Sequence, residues 1–196
     1  MPSVQIIKWS IPTRAAYPVT LAEAKAYLRV DTTDDNTLIT GLITAATAHV
    51  EGHTSRVYTE ENAIGYIDAL PDGDIILPVP TSEESDLIVR VLVSGSYEVL
   101  ADLEEYIDHH STPGRIARPP TGWPSTYTLD VVPNAVKVEF ATKVEMLELA
   151  RSAIMAIVAH WYEYREALVV EGVADTSKMP SGLDRVLTLL SLPRVG

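Results

Sequence analysis

The chain has 196 residues, 46% of them hydrophobic, which is enough for one domain with a real core, or one domain carrying a sizeable insertion. It contains no cysteine, which excludes a disulfide framework, a thiolate metal site and a cysteine nucleophile and fits assembly in a reducing cytoplasm. Of its 27 acidic residues, seventeen lie between Asp31 and Thr112 beside only two bases, so this stretch of a chain with net charge −12 is not built to neutralise phosphates and a duplex-binding face is excluded there.

Met1–Ser10 has one lysine and no apolar block of signal-peptide length, so secretory export is not expected. Thr20 followed by Glu23, with Pro18 just upstream, spells a capping box and predicts a helix over Leu21–Arg29. Asp31–Asn36 reads as a polar turn in which Asp34 or Asp35 caps the next helix. In that helix Leu38, Ile39, Leu42, Ile43, Ala46 and Val50 recur at three- and four-residue spacing and form one stripe, while Gly52 weakens its end.

Between Val57 and Phe140 the pattern changes to short runs punctuated by proline and glycine. Strands are predicted at 63–68, 74–79, 87–93, 97–100, 105–108, 114–118, 127–132 and 135–140, with turns at Pro71–Gly73 and a hairpin at Ser94–Ser96. Pro119–Pro124 is too rich in proline for a central strand and reads as a loop. A third helix is predicted over Val144–Ala167, striped by Leu147, Ala150, Ile154, Ile157 or Val158, Trp161 and Leu168, with Ala153, Ala156 and Ala159 permitting close packing. A polar loop over Glu171–Lys178 precedes a last short helix from Pro180, stopped by Pro193. The run Ala153–Ala159, among the longest apolar stretches, falls well below the roughly 20 residues of a bilayer span, so no membrane partner is expected.

The expected fold class is α+β: a helical bundle from residues 1–56 and 143–196, with residues 57–142 inserted as a small antiparallel β-sandwich or barrel-like region. Candidate chemistry within it is sparse. His49 and His53 have the i, i+4 spacing of shared metal ligands, but Glu51 is misplaced for the zinc-protease pattern and no third ligand is identifiable, so they are read as ending a helix whose dipole they suit. His109 and His110, beside Glu104, Glu105 and Asp108, would point to opposite faces of a strand and so not converge as an acid–base pair, and they read as a polar strand end or loop. Asp31, Asp34 and Asp35 lack the remaining ligands and glycine of a calcium loop and read as helix caps. Neither a serine elbow, a phosphate loop nor a dinucleotide fingerprint occurs, and no cofactor, catalytic residue or metal site is assigned. Trp161, Tyr162, Tyr164 and Arg165 read either as a packed helix end or as an interface cluster, since these residue types dominate binding hot spots. The acidic middle is by default a solvated surface, and it also suits a face past which DNA slides without sticking.

Pro18–Asp31 followed by Asp34–Arg56 resembles the opening of the phage head-tail connector family, the adaptor or head completion proteins of siphophages. Gly122-Trp123-Pro124 before a strand, a long helix ending in Tyr162–Glu166, and the helix from Pro180 to Leu190 resemble later elements of that family in the same order. The chain departs from it at Ala141–Lys143, where a Gly-Tyr is common, and in lacking a proline before the third helix. The resemblance implies a dodecameric ring beneath the portal protein, extending the DNA channel and receiving a stopper or tail-completion protein, in a phage, prophage or gene transfer agent particle assembled in the host cytoplasm. It implies portal docking by the C-terminal segment, with Pro180, Leu183, Arg185, Leu189, Leu192, Pro193 and Arg194 as candidates. Charge asymmetry adds Arg14, Lys25 and Arg29 as candidates for meeting a neighbour's acidic middle. The competing functions are another virion or tail-assembly module and a metal-dependent hydrolase.

Overall fold

In a computed structural model, which describes residues 8–83, 87–124, 128–164 and 182–192, Thr20 and Glu23 form the reciprocal cap that their spacing predicts. The Thr20 hydroxyl accepts from the Glu23 amide at 3.3 Å, and the Glu23 carboxylate accepts from the Thr20 amide at 2.8 Å. Helix α1 (Leu21–Leu28) ends at Arg29, whose left-handed backbone (φ 57°) closes the helix one residue early. Lys25 Nζ then reaches over the turn and donates to Thr32 O at 2.7 Å and Asn36 Oδ1 at 2.9 Å, tying α1 to the start of α2 (Asn36–Thr54).

Asp35 occupies the N-cap of α2, but its side chain caps no amide. Its carboxylate accepts from the Tyr162 hydroxyl at 2.5 Å instead, a contact between helices in place of the local cap expected from sequence. Helix α2 buries Ile39, Ile43, Ala46 and Val50, while Leu38 stays 38% exposed on the edge of the stripe. It continues past Gly52 to a left-handed Ser55, so tertiary packing outweighs the modest cost of an interior glycine.

Helix α3 (Leu147–Glu163) begins three residues later than predicted, because Met146 adopts a left-handed conformation (φ 55°) that prevents helix before it, and residues 165–167 of the predicted span lie outside the described residues. The predicted Leu168 lies outside the described residues. Ala150 and Ala153, rather than Ala156 and Ala159, are the fully buried small residues that let α2 and α3 approach. Helix α4 (Leu183–Leu190) adds Leu183, Leu187 and Leu190 to the same core, which Val19, Ala24 and Tyr58 complete. Beyond α4, Leu192 N donates to Thr54 O at 3.0 Å, and Arg56 holds both Leu190 O and the Glu145 carboxylate. These helices make one unit, from Ala16–Tyr58 and Glu145–Gly196.

The second unit comprises Met1–Ala15 and Thr59–Val144. Its larger sheet has strand order β1-β2-β8-β4-β5, from β1 (Lys8–Ser10), β2 (Asn62–Ile67), β4 (Ile88–Val93), β5 (Ser96–Val99) and β8 (Val136–Ala141). A smaller sheet, β3-β7-β6, uses the two-residue strands Ile75–Ile76, Arg115–Ile116 and Ile107–Asp108. All pairings among the described residues are antiparallel. Among the described residues neither sheet closes into a barrel, and the antiparallel strands form two open sheets. Alternation is clean in β8, where Val136, Val138 and Phe140 are buried and Lys137, Glu139 and Ala141 face outward, half-exposed.

Residues 8–15, grouped by sequence with the helices, fall in the β unit. Lys8–Ser10 pairs with Ile64–Tyr66, Arg14 donates to Thr59 Oγ1 at 3.3 Å, and the Ala15 amide donates to the buried Glu61 carboxylate at 3.1 Å. The strand predicted at 127–132 is not formed over 128–132. Asp130 N donates to Leu92 O at 2.9 Å, and its carboxylate turns back onto the Ser94 and Gly95 amides at 3.2 and 2.9 Å, which draws the segment into a turn. Ser94 and Gly95 have φ of 50° and 82°, the primed-turn geometry that the hairpin spacing predicts.

Candidate assembly surfaces

The acidic residues of the middle region are the first surface to account for, and the structure commits several of them to backbone amides. Asp108 accepts from the Ser111 hydroxyl at 2.6 Å and from the Ser111 and His110 amides at 3.0 Å, with Arg115 Nε at 3.1 Å. These bonds, those of Ser111 first, hold its carboxyl well below the usual carboxylate range. Asp74 accepts from Arg118 N, Asp68 from Asn134 N, and Glu51 from Tyr58 N. Each carboxylate thus fixes a loop that carries no regular secondary structure of its own. Asp102, Glu104 and Glu105 remain exposed.

On the outer face of the larger sheet, Glu139 receives Arg90 at 2.5 Å and Lys137 at 2.7 Å. Burial pushes the Glu139 carboxyl up, but the hydrogen bonds from Lys137 and Arg90 outweigh it and the net shift is downward. Lys137 Nζ also lies 5.9 Å from the centre of the Tyr97 ring, a cation–π distance. The recess beside this cluster, about 520 Å³, is lined by Pro12, Ala63, Ile64, Ile88, Phe140 and Ala141 together with the polar Thr13, Asn62, Arg90 and Glu139.

The helical unit presents the residues that sequence singled out. Trp161 meets His49 edge-on at 6.2 Å, Tyr162 bonds Asp35, and Tyr164 packs on His160 at 4.9 Å while remaining 51% exposed. His49 is therefore occupied by an aromatic contact. Arg165, Pro180, Pro193 and Arg194 lie outside the described residues. Of the other C-terminal candidates, Leu183 and Leu192 are buried in their own unit, whereas Arg185 is exposed and Leu189 is 66% exposed. Lys25 and Arg14 make the intramolecular bonds given above, and Arg29 is exposed at the end of α1.

The histidine pair 109–110 is split, and it lies in the irregular segment just after Ile107–Asp108, not within a strand. His109 Nδ1 lies 3.3 Å from Thr81 Oγ1, and His110, 85% exposed, lies 3.3 Å from Glu83. Among the described residues no group of three histidine or acidic side chains is placed to hold a metal, and no helix is long and apolar enough to cross a membrane.

The helices and open antiparallel sheets of the described residues make a fold found in the necks of virus-like particles. The chain aligns over 96% of its length, at 20% identity and a TM-score of 0.67, with 97% of a chain from the neck of an empty gene transfer agent (GTA) particle computed with C6 symmetry. A chain from the virion of a native GTA particle aligns at 20% identity and a TM-score of 0.66, covering 95% of this chain and 96% of that one. One from a native GTA neck computed with C12 symmetry aligns at 19% identity and 0.60, over 97% of both. Residues 18–78, from α1 to the end of the segment following β3, match the family model of the phage gp6-like head-tail connector proteins. No curated protein matches the chain significantly.

Proposed function

We propose that this chain is a head-tail connector, or adaptor, subunit of a phage or phage-like particle, located at the head-tail junction. Copies of it form a ring beneath the portal protein, extend the channel through which DNA passes, and receive the stopper or tail-completion protein. The observation that carries this reading is the conjunction of the connector-family match over 18–78 with a fold shared along nearly the whole chain with GTA neck proteins. The residue-level geometry supports a structural role, since carboxylates that would otherwise form acid–base clusters are committed to loop amides and ion pairs. The C-terminal segment from Pro180 docks on the portal, with Arg185 and Leu189 as its outward-facing described residues.

Electron microscopy of the protein mixed with the portal protein of the same particle tests the reading. A ring of copies seated on the portal is expected. Binding to tail proteins with no affinity for the portal overturns it in favour of another tail-assembly module.

A further inference from the structure

The turn between Asp130 and Asn134 displays apolar side chains on an unusually well-fastened backbone. Val131 is fully exposed and Val132 is 44% exposed. Asp130 is held at its amide by Leu92 O and at its carboxylate by the amides of Ser94 and Gly95. Asn134, in the left-handed region at φ 61°, donates its amide to Asp68 at 2.8 Å and receives the Tyr97 hydroxyl on its carbonyl at 2.7 Å. Leu92 N closes the base on Ala135 O at 2.7 Å. These anchors fix a tip that exposes two valines to water. A preorganised apolar anchor of this kind loses little conformational entropy when it is buried against a partner.

The same unit carries a largely apolar recess that could receive it. The 520 Å³ recess, with Ile64 and Ile88 in its lining beside Asn62 and the Arg90–Glu139 pair, lies on the outer face of the larger sheet. The register centres it toward the other end of that sheet from the tip, with Arg90, opposite Lys137, its lining residue nearest the tip. Asn62 and Ile88 of the recess lie beside Ala141 and Glu139, at the far end of β8, whereas the tip leads into Val136, opposite Ile67 and Val91. At a rise of about 3.4 Å per residue the two ends of β8 are roughly 17 Å apart. A closed ring requires two different, complementary patches on each subunit, whereas a two-fold contact would set one patch against itself.

We infer that the Val131–Val132 tip of one copy inserts into the sheet-end recess of the next, making the head-to-tail contact between neighbouring subunits. This rests on the ring reading above and identifies the surfaces through which the ring closes.

The absence of cysteine makes the contact measurable. Val131→Cys and Asn62→Cys, each made singly and then mixed on the portal under mild oxidation, are expected to form an interchain disulfide at least tenfold more than either variant alone. The double substitution V131D/V132D is expected to lower the assembled fraction at least tenfold. Its circular dichroism and thermal midpoint should match the unsubstituted chain, because both side chains face solvent. Rings that form without the mixed disulfide, that link two copies of the Val131→Cys variant to each other, or that tolerate V131D/V132D overturn this inference and leave the ring reading standing. An unsubstituted chain that forms no ring on its portal overturns both.

Discussion

The two units of this molecule reach a fixed structure by different means. In the helical unit one apolar stripe per helix does most of the work. Ile39, Ile43 and Val50 of α2 share a core with Ile154, Ile157 and Val158 of α3, and polar bonds serve mainly at helix ends. The β unit includes strands of only two residues and long irregular segments, and carboxylates from distant positions hold its loops. Burial therefore sets the helical unit, while the β unit depends as much on charge-assisted hydrogen bonds to backbone amides, which are individually stronger than neutral ones. Asp68, Asp74 and Asp108 of the acid-rich stretch take part in that fastening.

Truncation in the helical core should produce the largest effect of this contrast. Ile154→Ala, at a fully buried position, is expected to cost about 2–5 kcal/mol in chemical denaturation. Hydrogen exchange should show the loss of protection concentrated in the helices, and an equal loss across the β strands would break the comparison. In the β unit the corresponding vulnerability is backbone space. A Cβ at Gly114 would meet Thr81 Oγ1 at 2.5 Å, so Gly114→Ala is expected to destabilise by about 1–3 kcal/mol. The variant His109→Ala, tested in the same denaturant series, should fall short of that cost.

Acid sharpens the comparison in a different way. Thr20's hydrogen bonds, backbone first, together with Arg151 lower the Glu23 pKa from 4.5 to about 2. Its contribution is fully present above about pH 4.5 and is lost as the pH falls through about 2. Asp108 behaves in the same direction in the β unit. Thermal midpoints recorded from pH 6 to pH 2 should therefore decline for the parent, and Glu23→Gln should flatten part of that decline. A slope unchanged by the substitution would remove Glu23 from the acid response. The smallest expected effect is a gain. Thr47 Oγ1 is buried in α2 with no hydrogen-bond partner among the described residues, so Thr47→Val is expected to stabilise by about 1 kcal/mol. A loss of stability in the denaturation curve would mean the hydroxyl is satisfied.

Legibility in the sequence follows the range of the forces involved. The Thr20–Glu23 cap and the Ser94–Gly95 hairpin rest on contacts within a few residues, and the α2 stripe and the alternation of β8 on periods of two to four residues, so their spacing displays them. Asp35 is legible as an N-cap by position, yet its carboxylate goes to Tyr162, 127 residues away. Lys8–Ser10 carries no period long enough to announce a strand and becomes one by pairing with β2. Val131 and Val132 read as strand residues because β-branched pairs favour strands. The signal against that reading is their place between an aspartate able to cap amides and Pro133-Asn134, a turn pair.

By itself the sequence determined the class of structure, the helix caps and core stripes, and the acid-rich, cysteine-free composition, because each follows from local spacing or from content. The tertiary structure decided that the strands form two open sheets, that several acids fasten loops, and that an apolar tip and a largely apolar recess share one sheet. Those outcomes depend on which distant backbone groups meet, and no local spacing records that.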